Sequence, residues 1–556
     1  MLYSELASVY GALEATSKRL EKAAILAKLL KGASDQDLEQ LMYLIQGRVF
    51  APWDERKIGM SSKLMLKAIA LATGNPQERV VHLWKKIGDL GVVAEQLIAK
   101  KKQKTLVSRG LDVKKVFENI RAMSALTGAG TVAKKINLVA ELLTSAKPLE
   151  ARYIVRTVLE ELRIGVAQGI VRDAIAQAYN VNVKDVERAF SILVDYVEVA
   201  KKAKKKQLGK VTLGVGRPIE VMLAIRVESI EEALKAVGKP AQFEYKLDGF
   251  RVQVHKQAGK ILLFTRRMEN VTKQFAEILP TLEKSVKANS YILDTELAGY
   301  SPKTKKYLPF QNISQRIKRK YDIEKIAKGF PVEVNVFDIL YCNGKSLIAK
   351  PFKERRKILE RIIKQDKWKI VLTPKLVTAS EKEAESFYKE ALKTGNEGVM
   401  VKKLDAVYQP GRRVEGWVKY KPIMETLDLV IIGAQWGEGK RATWLSSFDL
   451  ACRKNGNFLE VGKVGTGIKE KGKGVTFQQL TRELKPCILK EKGKHVQIKP
   501  KLVVEVAYEE IQRSPTYTSG LALRFPRILR IRFDRAPEEC DTLERVKTFF
   551  AKQRRK

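Results

Sequence analysis

Glu244-Tyr245-Lys246-Leu247-Asp248-Gly249-Phe250-Arg251 falls inside a stretch, Phe243 to Lys256, that alternates in the manner of β-strands on either side of a turn. A lysine at such a turn is either an exposed charge or a nucleophile. An amine attacks phosphorus only when unprotonated, so the second reading needs neighbouring cations or partial burial to depress its pKa. A turn tight enough to require Gly249 would also let a phosphate approach the backbone. Taken alone, K-x-D-G decides nothing; its company does.

In Ile292-Leu293-Asp294-Thr295-Glu296, strand alternation puts Asp294 and Glu296 on one face. Glu397 opens a further strand in Glu397-Gly398-Val399-Met400-Val401-Lys402, and Lys419 and Lys421 share a face in Trp417-Val418-Lys419-Tyr420-Lys421. Phe337 lies mid-strand in Val334-Asn335-Val336-Phe337-Asp338. Each has a plain account by itself: surface charge, core ring, solvated edge. Together and in order they supply an attacking amine, oxygen ligands for Mg2+, an aromatic face for a base and cations for phosphates. Those are the parts of nucleotidyl transfer.

The composition of the 556-residue chain agrees: 105 Lys+Arg against 63 Asp+Glu leave a net charge of +42, spread along its length. That favours a large polyanion, nucleic acid above all, over a merely solvated surface. The length suits three or four domains at roughly 150 residues each, and 45% hydrophobic residues exclude wholesale disorder. No apolar run approaches the roughly 18 to 20 residues of a membrane span. Met1 to Glu5 lacks the start of a secretory signal, so a cytoplasmic, nucleoid-associated protein is expected. Cys342, Cys452, Cys487 and Cys540 are far apart, as are His82, His255 and His495, which argues against zinc and against Ser-His or Cys-His catalysis.

Residues 1 to about 200 show helical spacing, for example Ala7 to Leu30 and Tyr153 to Tyr179. The block Lys201 to Lys210, six of whose ten residues are lysine, reads as an exposed linker or DNA-facing connection. Strand patterning then alternates with helices such as Phe352 to Gln365. From Asp428 short strands and Gly-rich turns resemble a small β-barrel, and a helix of roughly Asp541 to Lys552 closes the chain.

With its six ordered signatures from Lys246 to Asp534, the sequence resembles the covalent nucleotidyltransferases, and more closely the ATP-dependent DNA ligases of the archaeal and eukaryotic replicative type. Ala522 to Asp534, ALRFPRILRIRFD, is similar to the pattern that ends those ligases. The lack of a long N-terminal extension points to the archaeal members. The resemblance implies a multidomain chain: an all-α DNA-binding domain over 1–210 with the Lys-rich linker at its end, an α+β adenylation domain over 211–421, and a β-barrel OB-fold domain over 422–556 with the C-terminal helix.

It also implies roles. Lys246 would carry AMP, Glu244 would bind the adenine and Phe337 would stack on it. Arg251 and Glu296 would hold the ribose, Arg266 a phosphate, and Arg413 and Lys419 further nucleotide atoms. Lys402, Lys421 and Glu397 would line the same pocket, and Asp248 would support the turn. Glu296 and Glu397 would serve a metal, Mg2+ with Mn2+ as a substitute. Arg532 and Arg535 belong to the last signature, where the family commonly ends R-x-D-K. Arginine at 535 keeps the charge but changes the geometry. AMP would pass from ATP to Lys246, then to the 5′-phosphate of nicked double-stranded DNA, and leave as the 3′-hydroxyl seals the nick in replication, repair and recombination.

The OB-fold would cover the active site for the first step and clasp the duplex for the later ones. The glycines of Arg163 to Gly169 suit either a sugar-phosphate contact or close helix packing. A sliding clamp is a further implied partner of a monomeric enzyme. Gln103-Lys104-Thr105-Leu106-Val107 lacks the aromatics of clamp-binding motifs and reads as a basic loop. An mRNA capping enzyme or RNA ligase fits less well because of the helical domain, and an NAD-dependent ligase because zinc-type cysteines are missing. A non-catalytic DNA scaffold would form no covalent adduct.

Overall fold

The computed structural model describes the chain apart from residues 102–109, 310–312, 314–315, 317–326, 328, 412, 423, 438–440, 442 and 556, and apart from the side chains of 413–415, 554 and 555. The clamp-like segment around Gln103 and Leu106 lies outside the described residues, as does the side chain of Arg413. The chain divides into two compact units. One holds residues 1–226, 234–380 and 400–419; the other holds 227–233, 381–399 and 420–556. Among the described residues no helix is long and apolar enough to cross a membrane.

The first unit begins with helices, from Tyr3–Ala15 to Tyr196–Lys204. The Ala7 to Leu30 stretch divides in two at Thr16, whose hydroxyl donates to Glu21 (2.6 Å) and accepts from the Lys18 backbone N–H (3.1 Å). Such local bonding competes with helix continuation. Tyr153 to Tyr179 likewise breaks, with Glu160 and Arg163 at positive φ.

The lysine block is not a free linker. It starts inside the helix Tyr196–Lys204, with Ala203 fully buried. Lys204 pairs with Asp35 (2.6 Å), and Lys201 with Glu39 (3.2 Å) and Glu198 (3.7 Å). Lysines in a last helical turn also complement the helix dipole.

Two sheets follow, built from β1 (Leu223–Val227), β2 (Ala241–Lys246), β3 (Phe250–Gln257), β4 (Lys260–Thr265), β5 (Tyr291–Gly299), β6 (Val332–Cys342), β7 (Lys345–Ser346), β8 (Ile370–Leu372), β9 (Lys375–Thr378), β10 (Gly398–Lys403) and β11 (Arg413–Tyr420). One has the order β1-β11-β10-β2-β9; the other runs β4-β3-β5-β6-β7, with β8 beside β6. The helix Phe352–Ile362, shorter than the periodicity suggests, packs on β6. One apolar core runs from the helical layer through Leu208, Val211, Leu213, Ile219 and Met222 to Tyr408 and Trp417.

The second unit is strand-rich. β12 (Leu427–Trp436) is paired by β13 (Leu445–Lys454), which carries β14 (Asn457–Val464). It is also paired by β16 (His495–Ile498), which carries β15 (Ile488–Lys492), and by β17 (Val503–Ala507). β18 (Glu510–Arg513) and β19 (Leu521–Arg524) form a separate ladder, while β20 (Arg527–Arg532) pairs with β17. Register shifts in β12 after Ile431 and Gln435 bend the strand. The closing helix is Leu543–Arg555.

Candidate active site

Lys246 ends β2, half-buried, and Gly249 precedes β3. A Cβ on Gly249 would lie 2.7 Å from both the Glu296 Cγ and the Leu297 carbonyl oxygen. The space that favours glycine is thus taken by β5 rather than left for a phosphate. This close approach sets Glu296 against the turn that carries the lysine.

The β3–β5 register places Arg251 opposite Glu296 and Gln253 opposite Asp294. Asp294 is fully buried and grips the Arg251 guanidinium through Nε (2.9 Å) and Nη2 (2.6 Å). Tyr408 also donates its hydroxyl to Asp294 (2.9 Å), and Arg251 Nη1 donates to the Met222 carbonyl (2.9 Å). Asp294 and Glu296, placed on one face by the strand alternation, differ: one anchors an arginine, the other is half-exposed.

Glu244 is 1% exposed on β2. Its carboxylate lies 2.5 Å from the Lys402 Nζ, accepts from Gln242 (2.7 Å) and has Arg356 Nη1 at 3.4 Å. The Lys402 ammonium sits over three rings, those of Trp417 (4.3 Å), Phe337 (4.7 Å) and Phe352 (4.7 Å). Burial pushes its pKa below the ordinary lysine value, while Glu244 and Asp338 oppose the shift. Phe337 is half-buried and meets Trp417 edge-on at 6.1 Å. Glu244, Lys402, Phe337 and Arg251 therefore form one connected constellation, since Arg251 also lies 5.3 Å from the Phe337 centroid. Lys419 is half-buried on β11 and Arg266 exposed after β4.

In the second unit Lys421 pairs with Glu509 (2.7 Å) and lies 3.8 Å from Glu397. Gly398, at φ +142°, packs so tightly that a Cβ would sit 2.3 Å from the Tyr420 carbonyl oxygen. Arg532 and Arg535 share Asp428, at 2.7 and 3.0 Å, and Arg532 also binds Asp534 (2.7 Å).

Family models match along the chain: the DNA ligase N terminus over residues 2–176, the ATP dependent DNA ligase domain over 221–421, and the ATP dependent DNA ligase C terminal region over 441–535. The DNA ligase of Nanoarchaeum equitans is 51% identical, covering 100% of this chain and 99% of its own. The chain belongs to the ATP-dependent DNA ligase family. The DNA ligases of Thermococcus fumicolans and Archaeoglobus fulgidus are 44% and 43% identical, each with 100% of this ligase and 99% of the relative covered. The solved structure Pmar-Lig_PreS3 shares the fold, with a TM-score of 0.59 at 17% identity over 95% of this ligase and 99% of that chain.

Sequence reasoning passed over several side chains in and beside this constellation of the ligase. Trp417 carried a signal, since it precedes Lys419 by two residues on an alternating strand. Tyr408, Phe352, Arg356 and Gln253 belong to no shared motif, although Phe352 and Arg356 lie on one helix and Gln253 on the strand of Arg251. Gly165 sits at φ +67°, and a Cβ there would lie 2.7 Å from the Nζ of buried Lys22, which donates to the Ile164 carbonyl.

Proposed function

We propose that Lys246 is the nucleophile of this ATP-dependent DNA ligase. Its Nζ attacks the α-phosphorus of ATP, forming an N–P bond as pyrophosphate departs. AMP then passes to the 5′-phosphate of a nick, and the 3′-hydroxyl attacks that phosphate, closing the phosphodiester and releasing AMP. Each step is an in-line displacement, so positioning and electrostatics carry the catalysis. The observation that supports this best is the cluster beside Lys246: Glu244 with Lys402 for the adenine edge, Phe337 for its face, and Arg251 with Glu296 for the ribose.

Arg266, Arg413, Lys419 and Lys421 contact the phosphates, and Arg532 and Arg535 orient the leaving pyrophosphate. Asp248 supports the turn. Magnesium is commonly held by one or two carboxylates together with substrate phosphates, and the half-exposed Glu296 carboxylate against the lysine turn fits that need, with Glu397 as a second oxygen donor. Bound there, the ion would neutralise phosphate charge. Residues 1–210 grip DNA through its phosphates, 211–421 adenylate, and 422–556 form an OB-fold that closes on nucleotide and then on duplex. Such an enzyme serves replication, repair and recombination from the cytoplasm.

Incubation with labelled ATP, GTP or NAD and Mg2+, followed by denaturing electrophoresis, tests the reading. Label from ATP should be retained, discharged by pyrophosphate, and absent in Lys246→Ala. No adduct with any nucleotide would refute it.

A further inference from the structure

Residues 216–222, which lead out of the helical layer, run beside β3, and three alternate β3 side chains hold them. His255 Nδ1 accepts from the Gly216 N–H (3.1 Å). The side-chain oxygen of Gln253 accepts from the Ile219 N–H (3.0 Å), and its Nε2 donates to the Ile219 carbonyl (2.6 Å). Arg251 Nη1 donates to the Met222 carbonyl (2.9 Å), and the Met222 N–H donates to the Tyr408 hydroxyl (3.1 Å). The period of two puts all three side chains on one face. His255 is 1% exposed; burial drives its pKa down to about 3, which keeps Nδ1 available as an acceptor. Its Nε2 lies 3.2 Å from the Gln253 side-chain oxygen, so the first two links brace each other. The last link is different. It holds a guanidinium whose other bonds go to Asp294 and, at 3.4 Å, to the Tyr408 hydroxyl.

We propose that Gln253, together with His255 and Tyr408, is a positioning residue for nucleotide binding. These side chains lash residues 216–222 along β3 so that the Met222 carbonyl and the Tyr408 hydroxyl fix the Arg251–Asp294 pair at the ribose. The segment that joins the helical layer to the catalytic sheets thereby forms one wall of Arg251's socket. The inference rests on the reading of Arg251 as a ribose contact.

The test is the ATP dependence of single-turnover Lys246-AMP formation in the full chain. Gln253→Met keeps the side chain's length and removes both Ile219 bonds; Tyr408→Phe removes one hydroxyl and is the milder change. Each should raise the half-saturating ATP concentration about fivefold, the size of one net hydrogen bond, with the maximal rate within about twofold. Arg251→Ala should raise it further. The double variant Gln253→Met/Arg251→Ala should match Arg251→Ala alone, because the two act through one contact. Additive losses, or unchanged half-saturation in both Gln253→Met and Tyr408→Phe, would overturn the strap while leaving Arg251 in place. An unchanged value in Arg251→Ala would overturn the ribose assignment, and the strap with it.

Discussion

The constellation around Glu244 and the arginines at the end of β20 use similar charges in differing surroundings. Glu244 and Lys402 are each at most 2% exposed, and Arg356 joins them from the helix Phe352–Ile362. Arg251 and Asp294 repeat the arrangement one sheet away. At the end of β20 and just beyond it, Arg532 and Arg535 divide the carboxylate of Asp428, and Arg532's other partner, Asp534, has a side chain 65% exposed. A buried charge without its partner is costly, whereas an exposed one is rehydrated. The first region therefore holds its charges in place by their mutual pairing. In the second, the Arg532–Asp428 pair is still largely covered, and the exposed partner is Asp534.

Removing a partner should separate the two regions most clearly. Glu244→Ala leaves the Lys402 ammonium buried among aromatic rings and should lower the stability of the first unit by about 3–5 kcal/mol. Urea unfolding followed by tryptophan fluorescence measures it; a loss as small as that of an exposed pair would erase the contrast. Gly249→Ala comes next. Its Cβ must displace β5 at Glu296 and Leu297, which should cost about 1–3 kcal/mol and slow Lys246-AMP formation at least tenfold, read by single-turnover labelling.

Arg535→Lys should matter less, since Arg532 retains Asp428. Adenylation should change by less than about tenfold, and a larger gain would show that the native arginine hinders the first step. The smallest effect is the acid titration of Asp534. Its hydrogen bonds with Arg532 hold the carboxyl down at about 2, below its ordinary 3.8. A depressed acid pKa adds stability that is present above the ordinary value and is lost as pH falls through the folded one. The Arg532–Asp534 pair should therefore persist at pH 4 and dissolve near pH 2, as seen in the Asp534 carboxyl carbon shift.

The same division explains what could be read from the sequence. Lys246, Glu296, Phe337 and Lys402 sit in short local patterns, so strand alternation and a turn glycine expose them. Lys402's cage draws Phe337, Phe352 and Trp417 from three elements, and no local pattern links them. The linker reading of the lysine block fell short for the same reason: Asp35 and Glu39, which pair with Lys204 and Lys201, lie more than 160 residues earlier. The like-charge rule sees neighbours along the chain and not across the fold. Residues 216–222 have no periodicity, because backbone groups rather than side chains make their bonds to β3.

The apolar core that continues from the helical layer through Leu208, Ile219 and Met222 into the catalytic sheets bears on how this chain could be re-engineered or recombined. A helical layer joined by a free tether could be exchanged between catalytic cores at any point along that tether. Here the connecting residues are themselves core. A chimera would have to carry 208–222 with its matching β3 face, Arg251, Gln253 and His255, as one inherited block, and a crossover placed inside the block would mismatch both halves.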